Sequence, residues 1–247
     1  MKKVALIFAA LLMLLPLVVS AQTIVDDGFE SLGEWVPGHG EWGIRGGMLI
    51  QRDTRTGLAR IDRRVPQEGE IEISFQVRYE AGGFRDQDAL RNQQYHGGFG
   101  IHVGVDNAPL RSVAWGAGQS YLLWLNLDTR QETRNNASEH FGFRGQVYES
   151  STHTVMSVTE WNADIQAELA EAGIDLSIND LDQFIGTLVP IRIRVNYDTG
   201  RIMVNDPTAP TIWFYFDLDP QVLRGEYMSL RTNSLAVSFA DFTVTRR

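Results

Sequence analysis

The sequence predicts an all-β protein, a two-sheet antiparallel jelly-roll sandwich with one small helical insertion over about residues 157–186. Three observations predict it. Apolar and polar residues alternate with period two through most of the chain, the pattern of strands with one buried and one wet face. The runs are short and separated by glycine-bearing turns, the habit of sandwiches and jelly rolls; a closed barrel shares this pattern. The length, 247 residues with 43% hydrophobic and 10% aromatic content, is ordinary for one all-β domain with a substantial core.

Lys2 and Lys3 form a basic n-region, residues 4–19 are an apolar run broken at Pro16, and Val19-Ser20-Ala21 suits a signal peptidase. The run is shorter than the roughly 20 residues that span a bilayer. The expectation is a signal peptide over residues 1–21, a domain over 22–247, a periplasmic or secreted location, and no membrane span after cleavage. Residues 70–79 place Ile71, Ile73, Phe75, Val77 and Tyr79 on one face, with Glu70, Glu72, Ser74, Gln76 and Arg78 opposite. Residues 98–105 alternate Phe99, Ile101, Val103 and Val105 with Gly98, Gly100, His102 and Gly104. Residues 121–127 bury Leu123, Leu125 and Leu127 and turn Leu122, Trp124 and Asn126 outward. Ser157 with Glu160, followed by Trp161, Ile165 and Leu169 and stopped by Gly173, reads as a capped helix, and residues 177–186 as a second short one. This insertion would be a cap over a sheet edge or a lid over a cleft. Residues 191–197 bury Ile191, Ile193 and Val195 and present Arg192, Arg194 and Asn196, then turn at Asp198-Thr199-Gly200 into Arg201–Asn205. Residues 211–217 and 234–245 supply the last strands.

The opening Asp26-Asp27-Gly28-Phe29-Glu30, then Trp35 and Gly40-Glu41-Trp42-Gly43-Ile44-Arg45-Gly46-Gly47-Met48-Leu49, and the closing Val237-Ser238-Phe239-Ala240-Asp241-Phe242-Thr243-Val244, resemble the two ends of domains in the concanavalin A-like lectin/glucanase superfamily, which includes laminin G-like and 3-keto-disaccharide hydrolase domains. The match covers the ends and not the middle. It implies a jelly roll and a glycan or cell-envelope polysaccharide as partner. It also implies a structural calcium near the termini, for which Asp27, Glu30 and Asp241 offer hard oxygen ligands. Otherwise no cofactor is expected. Glu70-Ile71-Glu72 resembles the carboxylate strand of laminarinase-type glycosidases, but Phe75 stands where a third acid is needed.

Composition narrows the chemistry. There is no cysteine, and the only lysines are Lys2 and Lys3, so Schiff-base, P-loop and thiolate mechanisms are excluded from the mature chain. Cleavage leaves 20 arginines against 31 carboxylates, a net charge of −11, which disfavours a nucleic-acid partner. Three glycines on the His102 face suggest either a shallow sugar groove or close packing under another segment. Trp124 could offer an aromatic plane beside Asn126. Arg192, Arg194 and Asn196 suit recognition of hydroxyls or carboxylates, or are simply a solvated face. Acids such as Glu72, Asp106, Asp128 and Glu149 are present, but nothing in the sequence pairs them as glycoside hydrolysis requires. The reading is an exported, non-catalytic carbohydrate-binding or envelope-associated jelly roll. A glycoside hydrolase related to the keto-disaccharide family and a structural envelope protein are the alternatives.

Overall fold

The structure, a computed structural model, describes residues 21–84, 86–92, 94–106, 120–137, 140–150, 154–158, 186–205, 211 and 213–247. The alternating stretches form two sheets in which every ladder is antiparallel. Sheet A runs β13 (Trp213–Asp217), β12 (Arg201–Asn205), β11 (Val189–Asn196), β6 (Glu70–Gly82), β15 (Leu235–Arg246), β4 (Met48–Gln51) and β3 (Trp42–Arg45), with β1 (Gln22–Asp27) paired to the end of β15. Sheet B runs β10 (Thr154–Val158), β9 (Gly142–Glu149), β8 (Tyr121–Asp128), β7 (His96–Val105), β14 (Tyr227–Asn233), β5 (Ala59–Arg64) and β2 (Val36–His39). The fold is the all-β two-sheet sandwich that the alternation predicts.

The core lies between the sheets. Ile71, Ile73, Phe75 and Val77 of β6 and Ile191, Ile193 and Val195 of β11 join Ile101, Val103, Leu123, Val147 and Leu230 of sheet B. Each such side chain contributes about 1.5–3 kcal/mol by leaving water. Trp35 belongs here: its ring meets Phe242 edge-on at 5.0 Å, and Phe75 stacks on Phe242 at 6.1 Å. Trp42 is half-buried against Phe239. The first and last strands pair with each other, from Gln22 opposite Arg246 to Asp27 opposite Phe242, which is why both terminal motifs sit in one sheet.

Two features depart from the sequence reading. Ser157, read as a helix cap, belongs to edge strand β10 and faces Val147 of β9, so the strand continues where helical spacing was expected to start. Apart from Ser157, Val158 and Gly186, the expected insertion lies outside the described residues, as does the signal peptide apart from Ala21. Two short helices, α1 (Gln87–Arg91) and α2 (Gln131–Asn136), were not anticipated. Each is only about a turn and a half long, too short for periodicity to show, and α1 is held by the Asp86 side chain accepting from the Asp88 and Ala89 amides.

The second departure concerns faces. Sheet A behaves as expected, with Glu72, Ser74, Gln76 and Arg78 half-buried on its outside. On sheet B the outward positions are also closed to solvent: Arg60, Asp62, His102, Leu122, Trp124, Gln146, Ser229 and Arg231 are all buried.

Candidate functional site

The outward row of sheet B follows from strand register. Arg60 of β5 faces Arg231 of β14, which faces Gly100 of β7, which faces Trp124 of β8, which faces Gln146 of β9. One step along, Asp62, Ser229, His102 and Leu122 form the neighbouring row. The glycines are explained by this row. A β-carbon at Gly98 would fall 2.5 Å from the Trp124 ring, and one at Gly100 would fall 2.1 Å from the Leu123 carbonyl oxygen and 3.0 Å from that ring. Of the two readings of these glycines the structure shows close packing and not an open groove: the indole occupies the space the glycines leave, and neither His102, 1% exposed, nor Trp124, 5% exposed, offers a surface. Asn126 is half-buried, accepting from the Trp124 indole N–H and donating to the His140 carbonyl, both at a long 3.4 Å.

His102 is held at Nδ1 by the hydroxyls of Ser120 at 3.1 Å and Ser150 at 3.0 Å. Burial, then the charges of Arg231 and Arg60, push its pKa well below the ordinary value, so it is a neutral imidazole. Asp62 accepts from the Ser229 hydroxyl and lies 3.0 Å from Arg60 Nε. Burial raises its pKa, against the opposing pull of Ser229, Arg60 and Arg231. For Arg231, burial and the charge of Arg60 bring the pKa down to about 9, with Asp62 pulling the other way.

A different surface forms outside sheet A at the β11–β13 edge. Trp213 and Tyr215 project from the same side of edge strand β13, two residues apart and so about 7 Å along it. Tyr215 is 60% exposed, while Trp213 is half-buried. The guanidinium carbons of Arg192 and Arg194 lie 5.2 Å and 4.4 Å from the Trp213 ring centroid. Both arginines also bond Glu72, Arg194 Nε at 2.8 Å and Arg192 Nη2 at 3.5 Å, and Arg247 joins the same carboxylate. Burial alone would raise the Glu72 pKa, but the Arg194 bond and the charges of Arg247 and Arg192 hold it below the ordinary value. The structure thus brings Arg192 and Arg194 together as predicted and adds Trp213 and Tyr215, which the sequence reading took only as part of a strand. Their signal was the alternation itself: within Trp213-Phe214-Tyr215-Phe216, only Phe214 and Phe216 pack toward the core. Asn196 is elsewhere engaged, its Oδ1 accepting from the Asp198 and Thr199 amides at the hairpin turn.

The residues chosen for calcium do not fit an ion. Asp27 accepts from the Phe29 amide, the Trp35 indole and the Arg63 guanidinium. Asp241 accepts from Gln76 at 2.6 Å, at a bulge in β15 where its own φ is +50°, and Glu30 is exposed. Among the described residues, no three histidine or carboxylate side chains form a group that could hold a metal. Nor do Glu72, Asp128 and Glu149 assemble a hydrolytic pair. Glu72 lies in sheet A, while Asp128 and Glu149 mark opposite ends of the β8–β9 ladder, seven residues and so about 23 Å apart. Asp128 instead accepts from Arg130 and Thr133 at the start of α2. Among the described residues no helix is long and apolar enough to cross a membrane.

No family model matches the sequence, and no curated protein matches it. Solved structures do resemble the fold. A protein of unknown function from Bacillus subtilis with a galectin-like fold superposes with TM-score 0.54 at 11% identity, over 92% of this chain and 97% of that one. The metal-free form of lectin I-B4 from Griffonia simplicifolia gives 0.53 at 10% identity, over 92% and 100%. The lectin from Bauhinia forficata in complex with GalNAc gives 0.51 at 11%, over 92% and 98%. At such identities the likeness is one of architecture: the chain shares with these structures a two-sheet antiparallel β-sandwich.

Proposed function

We propose that this is an exported, non-catalytic glycan-binding protein whose sugar platform is the outer surface of β11–β13, directed at a cell-envelope polysaccharide. The observation that carries the reading is the pair Trp213 and Tyr215 on one face of an edge strand, with Tyr215 open to solvent. Two aromatic planes about 7 Å apart suit successive sugar rings, whose C–H faces stack on an aromatic ring while their hydroxyls stay wet. Arg192 and Arg194 hold Trp213 from behind and are themselves fixed by Glu72, so the platform is ordered before a ligand arrives. The lectin fold of the structural neighbours supports the reading by analogy of architecture. The basic and apolar amino terminus supports export.

Binding to immobilised envelope polysaccharides and to a glycan array tests it. Tyr215→Ala should weaken binding at least about tenfold, or about 1.4 kcal/mol, and leave the melting temperature unchanged, because the ring is mostly in water. Undiminished binding by both Tyr215→Ala and Trp213→Ala would remove the platform from consideration. Export is checked separately, by finding Gln22 as the amino terminus of protein recovered outside the cytoplasm.

A further inference from the structure

The buried row outside sheet B sets two like charges against each other. Arg60 and Arg231 face each other directly across two strands, an arrangement that repels, and both are closed to water. Asp62 is the one carboxylate in the two rows described, and it sits against Arg60. In such a place an unsatisfied charge is costly. The hydrogen-bond deficit is marked. Among the described residues, Arg231 finds no partner for Nε, Nη1 or Nη2, although the side chain is 0% exposed. His102 Nε2 and Asp62 Oδ2 are likewise buried without a partner. Buried polar atoms are nearly always satisfied, and five such atoms in one register-linked cluster point to an absent occupant.

The deficit describes that occupant. Arg231 offers the planar fork of N–H groups that matches a carboxylate. In the tautomer whose Nδ1 accepts from a serine hydroxyl, His102 carries its proton on Nε2 and offers a further N–H. Asp62 Oδ2 requires the opposite, a donor from the ligand. A single carboxylate suits the unpartnered Arg231 fork, and a dianion would set a second negative charge against the Asp62 carboxylate. We propose that the outer face of sheet B holds a site for a hydroxycarboxylate, in which Arg231 and His102 bind the carboxylate, Asp62 accepts from a hydroxyl, and the Trp124 indole beside Gly100 forms the apolar wall. The free acid and the acid end of a uronic sugar share this chemistry. The site stands independently of the sheet A platform, from which it is separated by the core.

Calorimetry and thermal unfolding of the mature chain with lactate, propionate, D-glucuronate, D-glucose and inorganic phosphate test the proposal. Lactate or glucuronate should bind and raise the melting temperature, propionate should do so more weakly because it lacks the hydroxyl, and glucose should have no effect. A preference for glucuronate identifies the sugar acid as the source and a preference for lactate the free acid; either supports the site. Arg231→Met should weaken the carboxylate at least about tenfold while leaving the unliganded protein as stable as before or more so. If that variant does not fold, Asp62→Asn decides: it should retain the response to carboxylates and erase the preference of lactate over propionate. Binding of phosphate as tight as lactate, equal responses to lactate and propionate, or no carboxylate response that depends on Arg231 or Asp62 would overturn the assignment. Glucose binding that survives Arg231→Met would overturn it too, while leaving the glycan-binding reading of sheet A intact.

Discussion

His102 shows how far a residue's meaning depends on what surrounds it. In the sequence it is a polar residue among glycines, fit for a groove; in the fold it is a sealed neutral imidazole held by the Ser120 and Ser150 hydroxyls and acted on by the charges of Arg231 and Arg60. The pH consequence follows from its depressed pKa. The unfolded chain takes up a proton near 6.5 while the folded chain does not until well below, so stability is highest above 6.5 and falls as pH drops through it. The slope approaches about 1.4 kcal/mol per pH unit. Urea unfolding of the wild type and His102→Gln between about pH 5 and 7 checks this, since the variant should lose that share of the slope. Gly100 yields a second prediction. An alanine there meets the Leu123 carbonyl oxygen of the neighbouring strand, which cannot move without breaking the ladder. Gly100→Ala should therefore destabilise by about 1–3 kcal/mol, the cost of overpacking, visible as a lower urea midpoint. The sequence shows that a small residue is needed at 98 and 100; it does not show that the reason is the indole of Trp124.

Strands long enough to alternate were legible, and those that were not were missed for a physical reason. The β6, β7, β8, β11 and β15 stretches each carry four or more alternating positions, and the structure turns their apolar sets toward the core, although the opposite faces of β7 and β8 are buried too. β9 and β14 were overlooked: Gly142-Phe143-Arg144-Gly145 breaks the pattern in one, and Ser229, Arg231 and Thr232 are buried in the other, so polarity no longer marks the exposed side. The candidate sites share that fate. Arg192 and Arg194 were readable because they stand opposite isoleucines in one strand, whereas their partners Glu72 and Trp213 arrive from strands distant in sequence. Asn196 belongs to the hairpin between β11 and β12, where its carboxamide oxygen accepts two turn amides. Asn196→Ala should cost roughly 1 kcal/mol and leave ligand affinity unchanged, a result that paired unfolding and binding measurements would read directly.

On the scale of the molecule, charge is arranged in opposition. The chain carries a net charge of −9, yet guanidinium groups occupy the buried face of sheet B and lie against Trp213 on sheet A. A polyanion approaching from solvent is repelled before it meets either, so binding to uncharged polysaccharides should vary little with salt, and a measured affinity that falls steeply between about 50 and 200 mM salt would contradict the platform reading. The strand that carries the platform has another consequence. Among the described residues β13 pairs on one side only, with β12, and its sequence Trp213-Phe214-Tyr215-Phe216-Asp217 is nearly all aromatic. The free edge of such a strand is a template on which a second chain can add itself, and the Arg201–Asp217 ion pair places charge at one end of it. The segment that best suits a sugar is thus also the one most prone to stack with its own kind, and crowding on a polysaccharide surface would bring those edges together.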